Sequence, residues 1–397
     1  MMINEKGGSK MTDEEILSLH ARHHGVLNMA PQMAVHNREE LGKDYTPGVA
    51  VISKLIERYP ELKDKYTLSG KLVAMVTDGS AVLGLGNIGP AGGLPIVEGK
   101  ALLYKDLAGV DAIPLTLDQV PVADFVQTLK NISKSFAGFH LEDIEAPRCF
   151  EIEEQLRQAV DIPVYHDDQE GTAIVVLAGL INAAKVVQKP LTDLKVVLNG
   201  LGASGVATAR LLIKMGIKQL TLFDIDGQVH PDSPEYNQYQ REVAQESLVQ
   251  EHFDNLSSAM VGQDVFIGLS TADVLTATDV RTMAKDPIIF ALANPKPEID
   301  PAVVKDGGAT IIATGSSQYP NQVNNILAFP GLYKGLLQTD LKQVTWELEA
   351  QIAQALAQMI SQPEPTKIIS GVFDDGVVAT VAQSVIDFAK DQHRKGD

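Results

Sequence analysis

One glycine signature narrows the fold of this chain more than any other feature. In residues 195–224, KVVLNGLGASGVATARLLIKMGIKQLTLFD, a β-type run at 195–198 leads into Gly200-x-Gly202-x-x-Gly205. A helix-forming stretch at 206–215 follows at once, and a second β-type run, 219–223, ends in Asp224. Strand, glycine turn, helix and strand in that order form a Rossmann unit. The first glycine makes the turn, the second lets backbone approach a pyrophosphate, and the third packs helix on strand. Asp224 stands 19 positions after Gly205 (224 − 205 = 19). A carboxylate there accepts the adenosine ribose hydroxyls and repels a 2′-phosphate, and residues 225–227 hold no Arg or Lys, so NAD is expected rather than NADP. Three short apolar runs downstream, DVFIGLS, PIIFALANP and ATIIATG, read as further buried parallel strands. Asn294 and the pair Asn324-Asn325 fall in the loops after them, where amides reach a substrate or cofactor or serve as turn residues.

An earlier glycine run, Gly84-x-Gly86-x-x-Gly89, fits the same pattern of letters. Pro90, Gly92, Gly93 and Pro95 follow it, and these residues predict that no regular helix forms there. This copy is therefore expected to be a tight floor rather than the cofactor loop. Lys100 lies just beyond in PIVEGKALLYK, among mostly apolar neighbours. Such surroundings lower a lysine's pKa towards neutrality, as a general base requires, unless the lysine snorkels or is paired. Tyr45, in the loop DYTPG, reads locally as a surface or hinge residue.

Carboxylates concentrate in HLEDIEAPRCFEIEEQLRQAVDIPVYHDDQEGTA, residues 140–173. Glu142 and Asp143 open the stretch and Asp167 and Asp168 close it. A helix at 147–160 and a β-type run at 162–165 between them can return both acidic pairs to one point. Carboxylates gathered there repel one another unless a cation sits among them, and an oxygen-only donor set suits Mg2+ or Mn2+. The plain alternative is a pair of loop acids and a pair of helix caps.

The chain's 397 residues suffice for two domains, expected at 1–165 for the substrate and at 166–397 for the dinucleotide, with helices closing the C-terminal end. A net charge of −18 argues against a nucleic-acid partner. Cys149 is the only cysteine, and no apolar run is long enough to span a bilayer, so a soluble cytoplasmic protein without membrane attachment is expected. Residues 1–11 read as a disordered leader, with Thr12 and Glu15 forming a capping box for the helix behind it.

Taken together, DYTPGVA, TDGSAVLGLGNIGPAGGLPIVEGKALLYK, LEDIEAPRCFEIE, YHDDQEGTA and GLGASG resemble the malic enzymes in their short bacterial form, in the right order over nearly the whole chain. The resemblance implies an N-terminal α/β substrate domain, a doubly wound parallel-sheet NAD domain and C-terminal helices that pack back. It implies oxidative decarboxylation of (S)-malate to pyruvate and CO2 with NAD and Mg2+ or Mn2+. Matched position by position, Glu142, Asp143 and Asp168 are metal ligands, Lys100 the general base, Tyr45 the general acid and Asp167 the residue that orients Lys100. Asn294 and Asn324 hold malate's carboxylates, and Gly202, Ala203, Ser204, Gly205 and Val206 line the pyrophosphate. Two positions depart from the pattern. Ala81 stands where longer eukaryotic members carry an arginine that grips malate, and His140 stands where short members have asparagine. The rival expectations are a malolactic lyase producing lactate, a catalytically silent NAD-binding regulator, and oxaloacetate decarboxylation as main activity. A homodimer is expected, since two-domain dehydrogenases commonly close their clefts across an interface.

Overall fold

The computed structural model describes residues 12–249 and 251–396; the leader expected at 1–11 lies outside them. The first sheet holds β1 (Leu72–Thr77), β2 (Asp111–Thr116), β3 (Gly138–Glu142) and β4 (Val164–His166), all parallel, in the order β2-β1-β3-β4. The second holds β5 (Val196–Asn199), β6 (Leu220–Asp224), β7 (Gly227–Gln228), β8 (Val265–Gly268), β9 (Ile288–Ala291) and β10 (Ile311–Thr314). Its order is β10-β9-β8-β5-β6-β7, parallel except for the short β7. Strand order therefore reverses beside β1 in one sheet and beside β5 in the other, and ligands of such folds bind outside the carboxyl ends at those points.

β8 and β9 are buried throughout, which explains their unbroken apolar runs. Helices cover both sheets, and one continuous apolar core joins them. The last helices, Phe329–Leu336, Trp346–Gln358 and Val377–Gly396, pack back as expected: the hydroxyl of Tyr333 donates to the carbonyl of Phe139 on β3 at 2.6 Å. By contrast, the helices Asp13–His23, Arg38–Asp44 and Gly48–Arg58 bury no residue, and Leu17, Met29, Met33 and Val51 are exposed among or between them. The capping box of Thr12 and Glu15 forms.

One expectation is overturned. A 15-residue helix, Gly89–Leu103, does follow the first glycine run. Pro90 falls in its first turn, where a missing N–H costs nothing. Pro95 removes one interior hydrogen bond, but burial compensates: a Cβ at Gly93 would lie 3.1 Å from Thr77 and 3.2 Å from Gly79, so the glycine lets the helix lie flush on the end of β1. Tertiary packing overrides local propensity here. What separates the two glycine runs is the strand. β5 ends at Asn199, immediately before Gly200, whereas β1 ends at Thr77, seven residues before Gly84.

Candidate active site

The acidic stretch folds as its spacing implies. Glu142 is the last residue of β3, Asp143 follows it, and Asp167 and Asp168 open a π-helical turn, Asp167–Gly171, directly after β4. Adjacent parallel strands thus deliver both acidic pairs to the same sheet edge. Oxygens of Glu142, Asp143 and Asp168 lie within 4.8 Å of one another. Asp143 has φ +54°, a left-handed conformation that aspartate tolerates, and its backbone N–H donates to Oδ2 of Asp168 at 2.8 Å. Oδ2 of Asp143 is buried without a hydrogen-bond partner.

Lys100, in the last turn of the Gly89–Leu103 helix, extends its ammonium into this group. Nζ donates to Oε2 of Glu142 at 2.6 Å and to Oδ2 of Asp167, and it lies 5.4 Å from the centre of the Phe329 ring. The expected apolar setting is therefore corrected: Lys100 is paired. Burial opposes its charge, but Asp167, Glu142 and Asp168 more than offset that and raise its pKa. The hydroxyl of Tyr165 donates to the other oxygen of Asp167 at 2.6 Å. Burial acts against the Asp167 charge, yet Lys100 chiefly holds that carboxyl below its ordinary value.

The three remaining acids shift the other way. Burial and mutual repulsion raise Glu142 to about 7, Asp143 to about 9 and Asp168 to about 6. Four carboxylates share one ammonium, an excess of three negative charges if all are ionised (4 − 1 = 3). An all-oxygen cluster with an orphaned buried oxygen, holding protons it would ordinarily lose, fits a hard divalent cation.

Supporting contacts surround the acids. His140 is fully buried; its Nδ1 is hydrogen-bonded with the Tyr104 hydroxyl at 2.8 Å and its Nε2 with Oε2 of Glu142 at 2.9 Å. Burial lowers its pKa to about 3, so this imidazole is neutral. The acidic turn is clamped from behind. Glu170 accepts from the backbone N–H of His166 at 2.6 Å and pairs with Arg157, Arg157 also pairs with Glu153 at 2.6 Å, and Gln169 donates to Glu153 at 2.7 Å. Sequence spacing alone left these residues out, although Glu153 and Arg157 stand one helical turn apart.

Asp168 also lines a cleft of about 620 Å3 that both sheets share. Ser80 and Ala81 border it from the first sheet, Gly202, Ala203 and Ser204 from the glycine turn, and Asn294 and Asn324 from the loops after β9 and β10. Gly200 has φ +101°, and a Cβ at Gly205 would sit 1.8 Å from the Gly200 carbonyl; nothing lies within 4 Å of a Cβ at Gly202. That is the division of labour a pyrophosphate turn demands. Val206 is buried beneath the turn, and Asp224 ends β6 half-buried. Glu298, fully buried and singled out by no motif, accepts from the N–H of Ser270 and of Ala293, each at 3.0 Å, tying together two loops at the rim. Tyr45 is not brought to this cleft. It follows the helix Arg38–Asp44, its side chain is 65% exposed, and its hydroxyl has no partner among the described residues.

A parallel-sheet dinucleotide-binding α/β fold facing an acid-and-lysine cluster across one cleft defines an oxidoreductase. The family model described as malic enzyme, NAD binding domain, matches residues 169–389, and that described as malic enzyme, N-terminal domain, matches residues 25–122. The chain belongs to the malic enzyme family, whose members oxidise and decarboxylate malate. It is 44% identical over 367 residues to the NAD-dependent malic enzyme of Geobacillus stearothermophilus, covering 92% of this chain and 77% of that one. It is also 44% identical to the bifunctional malic/malolactic enzyme of Bacillus subtilis, covering 94% and 92%. Among solved structures, the NAD-dependent malic enzyme of Thermotoga maritima superposes with a TM-score of 0.90 at 41% identity, covering 93% of this chain and 98% of that one. No helix among the described residues is long and apolar enough to cross a membrane.

Proposed function

We propose that this chain oxidises (S)-malate to pyruvate and CO2 with NAD and a divalent cation, Mg2+ or Mn2+, at the cleft bordered by Asp168, Gly202, Asn294 and Asn324. The observation that carries the reading is the meeting of Glu142, Asp143, Asp168 and Lys100 where the carboxyl ends of the first sheet face the glycine turn. Glu142, Asp143 and Asp168 are the residues that would hold the cation. When bound, NAD accepts hydride from C2, and the cation acts as a Lewis acid on the substrate oxygens.

The protein's own groups do the rest. Lys100 takes the C2 hydroxyl proton, oriented by Asp167. Asp167, Glu142 and Asp168 favour the protonated form of Lys100; a cation held by Glu142, Asp143 and Asp168 would offset part of that charge and shift the lysine towards its neutral, basic form. Asn294 and Asn324 offer amides to malate's carboxylates, and position 81, which also borders the cleft, is alanine. Loss of CO2 leaves an enolate that needs a proton at C3, the role assigned to Tyr45. Its exposure, with the unburied helices around it, favours a second copy of the chain as the completing partner, in a homodimer. Mixing Tyr45→Phe and Lys100→Ala, each nearly inactive alone, is then expected to restore up to a quarter of the parental activity per site, by the statistics of random pairing. Sedimentation showing only monomer, or no recovery after subunit exchange, removes the shared site.

The charge shifts give a pH prediction. Burial raises the folded-state pKa of Glu142, Asp143 and Asp168 above unfolded values near 4. At these three groups the folded protein then binds more protons than the unfolded chain, so their contribution to the stability of the cation-free form falls as pH rises from about 4 through 9. A fixed Mn2+ concentration is expected to raise Tm more at pH 8 than at pH 6, because protons compete with the cation for the raised carboxyls at the lower pH; where that concentration is a hundred-fold above Kd the stabilisation is about 2.7 kcal/mol. Equal gains at both pH values would contradict this.

Initial rates with malate against NAD and NADP, with and without divalent metal, test the function. NADH and pyruvate should appear together and only with metal. The name of the Bacillus subtilis relative keeps a malolactic reading in view, and lactate formed without NADH would decide for it.

A further inference from the structure

Gln240 belongs to the helix Gln238–Glu246, which Asn237 caps. Its side chain does more than complete that cap. Oε1 accepts from the backbone N–H of Asn237 at 3.0 Å, while Nε2 donates to the carbonyl of Leu201 at 3.1 Å and to Oδ2 of Asp224 at 2.6 Å. One end of the amide faces an N–H and the other faces two oxygens, so only this orientation satisfies all three contacts. Gln240 is 7% exposed, and water cannot readily replace a lost partner.

The two acceptors are the two halves of the dinucleotide unit. Leu201 lies inside the turn between Gly200 and Gly202, and Asp224 ends the neighbouring strand β6. The Gln240 amide therefore bridges the acid and the turn. Burial raises the Asp224 carboxyl above its ordinary value, and backbone amides of Ile225 and Leu201 oppose that shift. With Oδ2 engaged by Gln240, the carboxylate is held against free rotation. The neutral amide achieves this without cancelling the negative charge.

We infer that Gln240 is a positioning residue that sets cofactor choice: it holds Asp224 against the glycine turn, keeping the carboxylate aimed at the ribose hydroxyls of NAD and against the 2′-phosphate of NADP. The inference rests on Asp224 being the ribose acid, and the test separates the two. Gln240→Met removes both donated hydrogen bonds at similar length and volume. Initial rates are measured with malate and Mn2+ while NAD and NADP are varied separately. KM for NAD should rise about ten-fold, the size expected for a lost hydrogen bond to a charged group. The effect should concentrate in KM rather than kcat, leave KM for malate in place, and shift NADP less than NAD. Gln240→Lys, a second variant should the first fold poorly, keeps a donor but neutralises Asp224. It should raise the NADP-to-NAD ratio of kcat/KM above the parental value. Unchanged constants in Gln240→Met, or equal shifts for both cofactors, overturn the inference. If Asp224→Ala raises KM for NAD while Gln240→Met does not, the ribose reading stands and the role of Gln240 falls. If Asp224→Ala itself leaves KM for NAD unchanged, the ribose reading fails and takes the inference with it.

Discussion

Asp168→Asn is expected to lower malate-dependent NADH formation on the order of a thousand-fold, the rate equivalent of the several kcal/mol that a Lewis acid lends. The change removes one charge and almost no volume. The lost charge matters because Asp168 is the member of the acidic trio that also lines the cleft, within 4.8 Å of Glu142 and Asp143 oxygens. Its Oδ2 also receives the N–H of Asp143 at 2.8 Å, a bond that an asparagine oxygen can keep, so the local backbone should persist. The two consequences differ in sign. Activity and Mn2+ affinity should fall, while Tm of the cation-free protein should rise, because mutual repulsion among the buried acids is relieved. A Mn2+ titration of the rate, paired with thermal unfolding in chelator, reads both. Near-parental turnover at ordinary Mn2+ concentrations would remove Asp168 from the centre.

Lys100→Ala carries the second large effect, a fall of about 10²–10⁴ in kcat, the range for a lost general base. It should also destabilise the protein, since Asp167 is fully buried and would lose its principal cationic partner. Lys100→Arg separates the two roles. A guanidinium can pair with Glu142 and Asp167 but does not give up its proton near neutral pH. Tm should therefore recover while kcat stays low. If Lys100→Arg regains activity along with stability, the lysine is a positioning group and another residue is the base.

Much of this arrangement is legible in the sequence because periodicity and glycine spacing act locally. The turn after β5, the helix Ala203–Lys214 and Asp224 at the end of β6 follow from steric rules that few other residue types satisfy. The acidic pairs were readable for a related reason: a helix between two short strands returns the chain to the same sheet edge. The failures arise where distant chain segments decide. Pro95 and a run of glycines argue locally against a helix, but burial against β1 makes one. Lys100 looks apolar to its sequence neighbours, yet its partners stand 42 and 67 residues away. His140, Arg157, Glu298 and Gln240 act through contacts no motif announces. Tyr45 lies outside both local patterns: its Thr-Pro-Gly context marks a loop, and the structure leaves it exposed and away from the cleft.

Crystals grown with Mn2+ and examined by anomalous scattering test the central claim most directly. One strong manganese peak is expected within coordination distance of carboxylate oxygens from Glu142, Asp143 and Asp168, with Lys100 beside it and the peak open to the cleft. A manganese peak elsewhere, with these three side chains turned apart, would contradict it.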